Sequence, residues 1–439
     1  MKKLLGVLGI SIAVLAGLLG YSVLQLNNAD PAELTQEEVT PMITPIPPIT
    51  ETERKSDTVA SLPAGEELVA DNIVEEQEQQ WDETELKELE EIEQDIVGNI
   101  LTHDDYCYAY SRLNDSERQV YDEIYTAVVK YADKMPVSTT SPETLDKVFN
   151  SVMIDHPEIF YVNGYRYTKY TVGDVIKRMA FVANYTYSQK EADAISEDID
   201  TIATGILMNV NPGASDYDKI KFIFDTIVLQ TEYDVNSPDN QNVISVLINK
   251  RSVCQGYSKT MQLLLNRLGI PCTLCDGVVI GGERHAWNVV NADGNWYYLD
   301  VTWGDASYRL SDESDPGTEA IVPDVNYDYF LVPYSDLIKT HEVRTVIDMP
   351  NATSLDDNYY VHEGLYFTQF DDGQLRGVFD NAIANGQNYV ALKCSDAGAY
   401  NEMYSQLVDN QRIFDYVAGK NIAYSYNPDT YKLLFALKR

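Results

Sequence analysis

Positive charge is scarce in this chain. Lysine and arginine number 32 against 69 aspartate and glutamate, a formal net charge of −37, which argues against nucleic acid or an anionic membrane surface as a partner. A solvated surface kept soluble by repulsion accounts for the imbalance. The acids do not imply calcium, because no EF-hand-type loop appears and scattered acidic side chains are ordinarily solvated faces. No internal repeat is visible. Cysteine is also rare, limited to Cys107, Cys254, Cys272, Cys275 and Cys394. The odd count leaves at least one thiol unpaired. Cys272 and Cys275 have CxxC spacing, yet no second pair of ligands lies near them and they fall in an expected buried strand. A zinc or redox role is therefore not inferred, and no metal or cofactor is expected.

Long apolar runs are confined to one place. Met1-Lys2-Lys3 precedes an almost unbroken apolar stretch from Leu4 to Leu26, about long enough to cross a bilayer as a helix. It holds no cysteine, which excludes lipid attachment at a lipobox, and no A-x-A cleavage site follows. Residues 1–26 are expected to be an uncleaved signal-anchor, with the basic end cytoplasmic and the rest of the chain extracellular. Cleavage, giving a secreted chain, is the alternative.

Residues 27–105 read as a stalk. The stretch to about Ala70 is rich in proline, threonine and acids and lacks periodicity, as a disordered segment would be. From Asp71 to Ile100 the sequence predicts a solvated, acidic amphipathic helix. The compact part begins near Tyr106, and residues 106–210 form an N-terminal extension of helices and strands. Asn114 with Glu117, Ser141 with Pro142, and Ser188 with Glu191 mark helix starts. Tyr165–Val172 and Met179–Tyr187 predict paired strands. His156, followed by a proline, reads as structural. Residues 211–345 form a core whose first helix is capped by Ser215 and Asp218. Residues 346–439 alternate strand (Tyr359–Phe367), helix (Leu375–Ala384), strand (Tyr389–Lys393), helix (Ala399–Val417) and hairpin (Ile422–Leu437), which predicts a small α/β module.

The chemistry concentrates between Cys254 and Asp305. After Cys254, Met261, Leu264, Leu265 and Leu268 recur at helical spacing, and Gly269 closes the helix. Cys254 thus begins a helix, where unpaired backbone N–H groups favour a thiolate. Thr273–Ile280, His285–Asn291 and Trp296–Thr302 predict three strands, the last two joined by Asp293-Gly294, a strong hairpin signal. A two-residue loop there sets Ala292 opposite Asn295, Trp287 opposite Asp300 and His285 opposite Thr302. Asp300 is then a diagonal neighbour of His285 on one face of the sheet. Three roles follow: Cys254 as nucleophile, His285 as the base that takes its proton, and Asp300 as the group that orients the imidazole. A side chain from the preceding segment, Tyr233 or Gln241, would join the Cys254 N–H in an oxyanion hole.

The blocks CQGYSKTMQLLLNRLGIPC, RHAWNVV and GNWYYLDVTWGD together resemble the core of the transglutaminase-like superfamily, which has a papain-like cysteine-enzyme fold. By motif, Cys254 matches the family nucleophile, His285 the HAWN-type histidine and Asp300 the aspartate of the LDxTW-type strand. The fold class this implies is α+β, a transglutaminase-like core with the N-terminal extension and C-terminal module on either side. The expected activity is acyl transfer or hydrolysis on protein or peptide amides, through a thioester, at the outer surface of a wall-bearing bacterium where cell-wall peptide is one available substrate. Water or an amine can accept the acyl group. The alternatives are a cross-linking transglutaminase and a surface scaffold using the same fold without catalysis.

Overall fold

The computed structural model describes residues 42–45, 72–80, 84, 87–92, 100–101, 106–305, 323–418 and 421–437. The expected anchor at 1–26 lies outside them. Among the described residues no helix is long and apolar enough to cross a membrane.

Near the N-terminus, β1 (Met42–Pro45) pairs in parallel with a strand at the far end of the chain, Asn421–Asn427. The next element corrects the sequence reading: β2 (Ile73–Gln80) is a strand where a helix was expected, pairing in parallel with residues 164–171. Edge pairing satisfies its backbone, and every side chain of β2 is exposed, so no apolar helix face was needed. A short helix, α1 (Tyr108–Ser111), precedes α2 (Asp115–Val129). Helix α2 starts where its capping residues dictate, since Asn114 Oδ1 accepts the Glu117 N–H and Glu117 Oε2 accepts the Asn114 N–H, both at 3.0 Å.

β3 (Met135–Val137), α3 (Pro142–Asp155), β4 (Val162–Val172) and β5 (Val175–Tyr185) complete the extension. Its sheet runs β2-β4-β5-β3. One face of α2 and of α3 packs on that sheet around Phe149, Tyr165 and Phe181. The tyrosines of the hairpin are mostly half or fully buried, as alternating sheet residues should be. His156 is buried, stacked on Tyr125 at 4.2 Å and bonded through Nδ1 to Glu158 at 2.7 Å.

The central unit begins with α4 (Gln189–Leu207) and α5 (Asp216–Gln230). Two-residue strands β6 (Glu232–Tyr233) and β7 (Arg251–Ser252) pair in parallel and lead into α6 (Cys254–Arg267). Next come β8 (Cys272–Val279), β9 (Arg284–Ala292) and β10 (Asn295–Leu299). After α7 (Tyr334–Leu337), β11 (His341–Val343) adds to the free edge of β8, giving an antiparallel sheet of order β10-β9-β8-β11. Helices α5 and α6 cover one face of the sheet, with Phe224, Met261, Leu264 and Val290 in that core. The other face buries Trp287, Trp303 and Tyr329.

The C-terminal region departs from the sequence reading twice. Residues expected as one strand instead form α8 (Tyr359–His362), capped by Asn358, and then the short β12 (Tyr366–Phe367). After α9 (Asp372–Ala384) and β13 (Tyr389–Cys394), the long helix expected to reach Val417 stops early. It is α10 (Ala397–Tyr404), followed by a wide turn at Ser405–Asp409 and a break where Gln411 takes φ 56°. The hairpin β14 (Asn421–Asn427) and β15 (Lys432–Ala436) then closes a five-stranded sheet β1-β14-β15-β13-β12. The fold is α+β throughout.

Candidate active site

Val253 has extended backbone angles and Cys254 is the first residue of α6, so the thiol sits at the helix N-terminus as the sequence predicts. The loop before it is held tightly. Ser245 Oγ and Ser252 Oγ lie 2.6 Å apart, and Ser252 Oγ donates to the Asn240 carbonyl at 3.1 Å. This pair presses on the first turn of α6 at Gly256, where an added Cβ would run into both serine hydroxyls. Only glycine fits two positions after the cysteine.

The β9–β10 register is the one the hairpin signal predicts, with Asn295 opposite Ala292 and Leu299 opposite Asn288. Asp293 and Gly294 take φ 49° and 87°, the left-handed pair a tight hairpin turn requires. The ladder stops at Leu299. Asp300, expected opposite Trp287, instead begins a turn: its N–H donates to the Tyr329 carbonyl, and its Oδ1 accepts the N–H groups of Thr302 and Trp303 at 3.0 and 3.1 Å. That turn aims Oδ2 at His285 Nε2, 2.8 Å away. The Cys254 side chain hydrogen-bonds His285 in turn. Cysteine, histidine and aspartate are thus brought together, and they are 0%, 3% and 0% exposed.

Burial opposes charge on His285, but the Asp300 carboxylate and the Cys254 sulfur outweigh it and hold the imidazole up at about 10. Burial likewise opposes charge on Asp300, and the His285 and His341 contacts overcome it, keeping the carboxyl well below its usual range. An ionised carboxylate needs donors, so both imidazoles present Nε2–H to it. His285 Nδ1 is then the nitrogen available to the thiol.

His341 was not recognised as a site residue from the sequence. Its Nε2 lies 3.2 Å from the same Asp300 Oδ2, and its Nδ1 lies 2.8 Å from Thr340 Oγ1, which meets the Tyr329 hydroxyl at 2.6 Å. Burial pushes His341 down, toward the neutral form. Its placement depends on β11 pairing closely with β8 beside Gly277, where a Cβ would run into the Glu342 carbonyl. Ligand atoms of His285, Asp300 and His341 lie within 4.8 Å of one another. They could hold a divalent cation only by giving up both hydrogen bonds to Oδ2.

Two further polar side chains fix the distance between helix and strand. Ser258 Oγ donates to the Ala286 carbonyl at 2.9 Å, and Asn288 Nδ2 donates to the Ser258 carbonyl at 3.0 Å. Both are buried, and they fasten α6 to β9 one turn from Cys254. Of the two oxyanion candidates, Gln241 lines a cavity together with Gln255, while Tyr233 packs on the α5–α6 core. Cys272 and Cys275 fall in separate apolar clusters on opposite faces of the sheet, where burial pushes both thiols up.

Residues 201–301, which carry the nucleophile helix and both strands of the hairpin, match the family model of the transglutaminase-like superfamily core. This segment belongs to that superfamily. The chain is 27% identical over 106 residues to "Kyphoscoliosis peptidase" of Mus musculus, an alignment covering 20% of this chain and 16% of that protein. The match thus spans less than a fifth of that relative's length. Among solved structures, a TGase superposes with a TM-score of 0.24 at 13% identity, covering 36% of this chain and 54% of the other. The periplasmic domain of TgpA from Pseudomonas aeruginosa gives 0.22 at 14%, covering 30% and 58%.

Proposed function

We propose that the protein is a cysteine enzyme that cleaves or transfers the acyl group of peptide or protein amides, with Cys254 as nucleophile, His285 as acid and base, and Asp300 orienting His285. The single observation that carries this reading is the linked set of contacts from Cys254 to His285 and from His285 Nε2 to Asp300 Oδ2 at 2.8 Å. Cys254 first passes its proton to His285 Nδ1, where the Asp300 carboxylate stabilises the imidazolium, and Sγ then attacks the amide carbonyl carbon. A C–S bond forms and the carbonyl electrons move onto oxygen, where the Cys254 N–H and the Gln241 side chain would receive them. As the C–N bond breaks, His285 returns the proton to the departing amine, leaving a thioester. An incoming water gives a proton to His285, attacks the thioester carbon and releases a carboxylic acid and the thiol.

An amine in place of water would form a new amide instead. Hydrolysis is the preferred outcome, because water reaches any open site and the mouse relative is named a peptidase. The full burial of Cys254 favours one competing reading, a scaffold that keeps the constellation without using it. Incubating the protein with peptide libraries, with and without added amine, and repeating this with Cys254→Ala separates these readings. Cleavage that vanishes in the variant supports the hydrolase, and amine incorporation supports a cross-linker. Absence of both, with Cys254 unreactive to iodoacetamide in the native protein, defeats the enzyme reading. The apolar run at Leu4–Leu26 supports a membrane-held protein acting outside the cell, and retention in the membrane fraction after alkaline carbonate extraction tests that part.

A further inference from the structure

A cavity of about 590 Å³ opens between the N-terminal extension and the core. Ile154, Leu274 and Ala286 line it and also pack in one apolar cluster with Cys254, so the cavity adjoins the nucleophile. Gln255 and Lys259, four residues apart on one face of α6, project to this side of the helix. Lys259 is 8% exposed. Among the described residues no carboxylate and no hydrogen-bond acceptor pairs with its ammonium. Burial, with no opposite charge to offset it, pushes Lys259 down to about 8. The Gln255 Oε1 is also buried without a partner.

Other charged groups around the cavity do not serve Lys259. Asp146 accepts from the Tyr165 hydroxyl and Asn150, and Asp239 accepts from the Tyr187 hydroxyl. Arg344 pairs with Glu342, while Asp276 and Arg284 bring opposite charges from adjacent strands. A lysine this largely buried that lacks an anion is costly, and a chain with 69 acids and 32 bases has no shortage of carboxylates that could have been set against it. The missing partner is therefore external.

The geometry points to this cavity as a subsite for a peptide carboxylate, held by Lys259 with Gln255 beside it, so that the enzyme selects acidic peptides. The inference rests on the acyl-transfer reading of Cys254. The carboxylate can be an acidic side chain or a chain terminus; both present the same two oxygens to the ammonium.

The test uses the full chain and matched peptides differing only in Glu against Gln, or in a free against an amidated C-terminus. Wild type is expected to favour one acid form at least tenfold in kcat/KM, mainly through KM. In Lys259→Met that ratio falls toward one, and in Lys259→Arg it is largely kept. Equal activity of wild type on acid and amide forms overturns the subsite while leaving the catalytic reading intact. A ratio unchanged in Lys259→Met overturns it too. Calorimetric binding of the same peptides to Cys254→Ala separates the two readings. Tighter binding of the acid form, lost in Cys254→Ala/Lys259→Met, supports the subsite even if wild type turns nothing over.

Discussion

Asp300 Oδ2 stands 2.8 Å from His285 Nε2 and 3.2 Å from His341 Nε2, so one carboxylate oxygen gathers two imidazoles. The other oxygen is held by two backbone N–H groups. Four donors on a buried carboxylate fix it as an anion and leave it little freedom to rotate. Only His285 also meets the thiol. His341 acts on the chemistry through Asp300, as a positioning residue.

Asp300→Asn is expected to lower kcat by about 10²–10⁴-fold, because an amide can present an N–H where His285 needs an acceptor. His341→Leu, which has no donor to offer, should cost less, about tenfold in kcat with KM little changed. It should also lower stability by about 1–3 kcal/mol through the donor lost from a buried carboxylate. Steady-state kinetics and denaturant melts on the two variants check this. Equal losses in kcat would contradict the indirect role given to His341.

The pH dependence of stability carries a sign. His285 is held above its ordinary value, so the folded state binds its proton more tightly than the unfolded chain does. Its contribution is complete below the unfolded pKa of about 6.5 and is lost as pH rises toward about 10. Asp300, held low, contributes above the ordinary carboxylate range and loses that contribution in acid. His341, also held low, opposes folding only below about 6.5 and drops out of the alkaline window. The melting-temperature difference between wild type and His285→Gln should therefore shrink steadily from pH 7 to pH 10. A constant difference would mean that His285 is not held protonated.

Cys254 is shut beneath the segment around α1. Tyr108 and Ala109 pack in its cluster, the Tyr108 hydroxyl donates to the Asp348 carbonyl at 2.9 Å, and the Tyr108 ring meets Trp296 edge-on at 5.5 Å. Ala109 and Tyr110 N–H groups each donate to the Asp155 carboxylate at 2.8 Å, which pins the helix in place. A thiol so covered meets a peptide only when the cover shifts. Tyr108→Ala should raise the iodoacetamide labelling rate of Cys254 about tenfold. Cys272 and Cys394, buried elsewhere, should stay unlabelled in the same experiment. Their joint labelling would indicate general unfolding instead.

What the sequence made legible was local. The helix after Cys254 and the hairpin register follow from apolar spacing and from Asp293-Gly294, and with them came the approach of Asp300 to His285. His341 was out of reach because it lies on a three-residue edge strand whose pairing with β8 depends on a close approach at Gly277. Short strands leave too few residues for a period to show. Residues Ile73–Gln80 misled for a related reason: glutamates and glutamines have no strand preference, and only the exposed edge of β4 makes this stretch extended. Lys259 carried no signal in the sequence, since a buried cation has the same letter as an exposed one.

Gly277→Ala tests how β11 supports the site. The new methyl group would collide with the Glu342 carbonyl and crowd the Trp287 ring, so β11 must move away from β8 and carry His341 off Asp300. Stability should fall by about 1–3 kcal/mol, the range for overpacking a filled core, and kcat should fall about as far as in His341→Leu. Because both substitutions break the same contact, the double variant should lose little more activity than either alone. Fully multiplicative losses in kcat would show that Gly277 affects the reaction by some route other than His341.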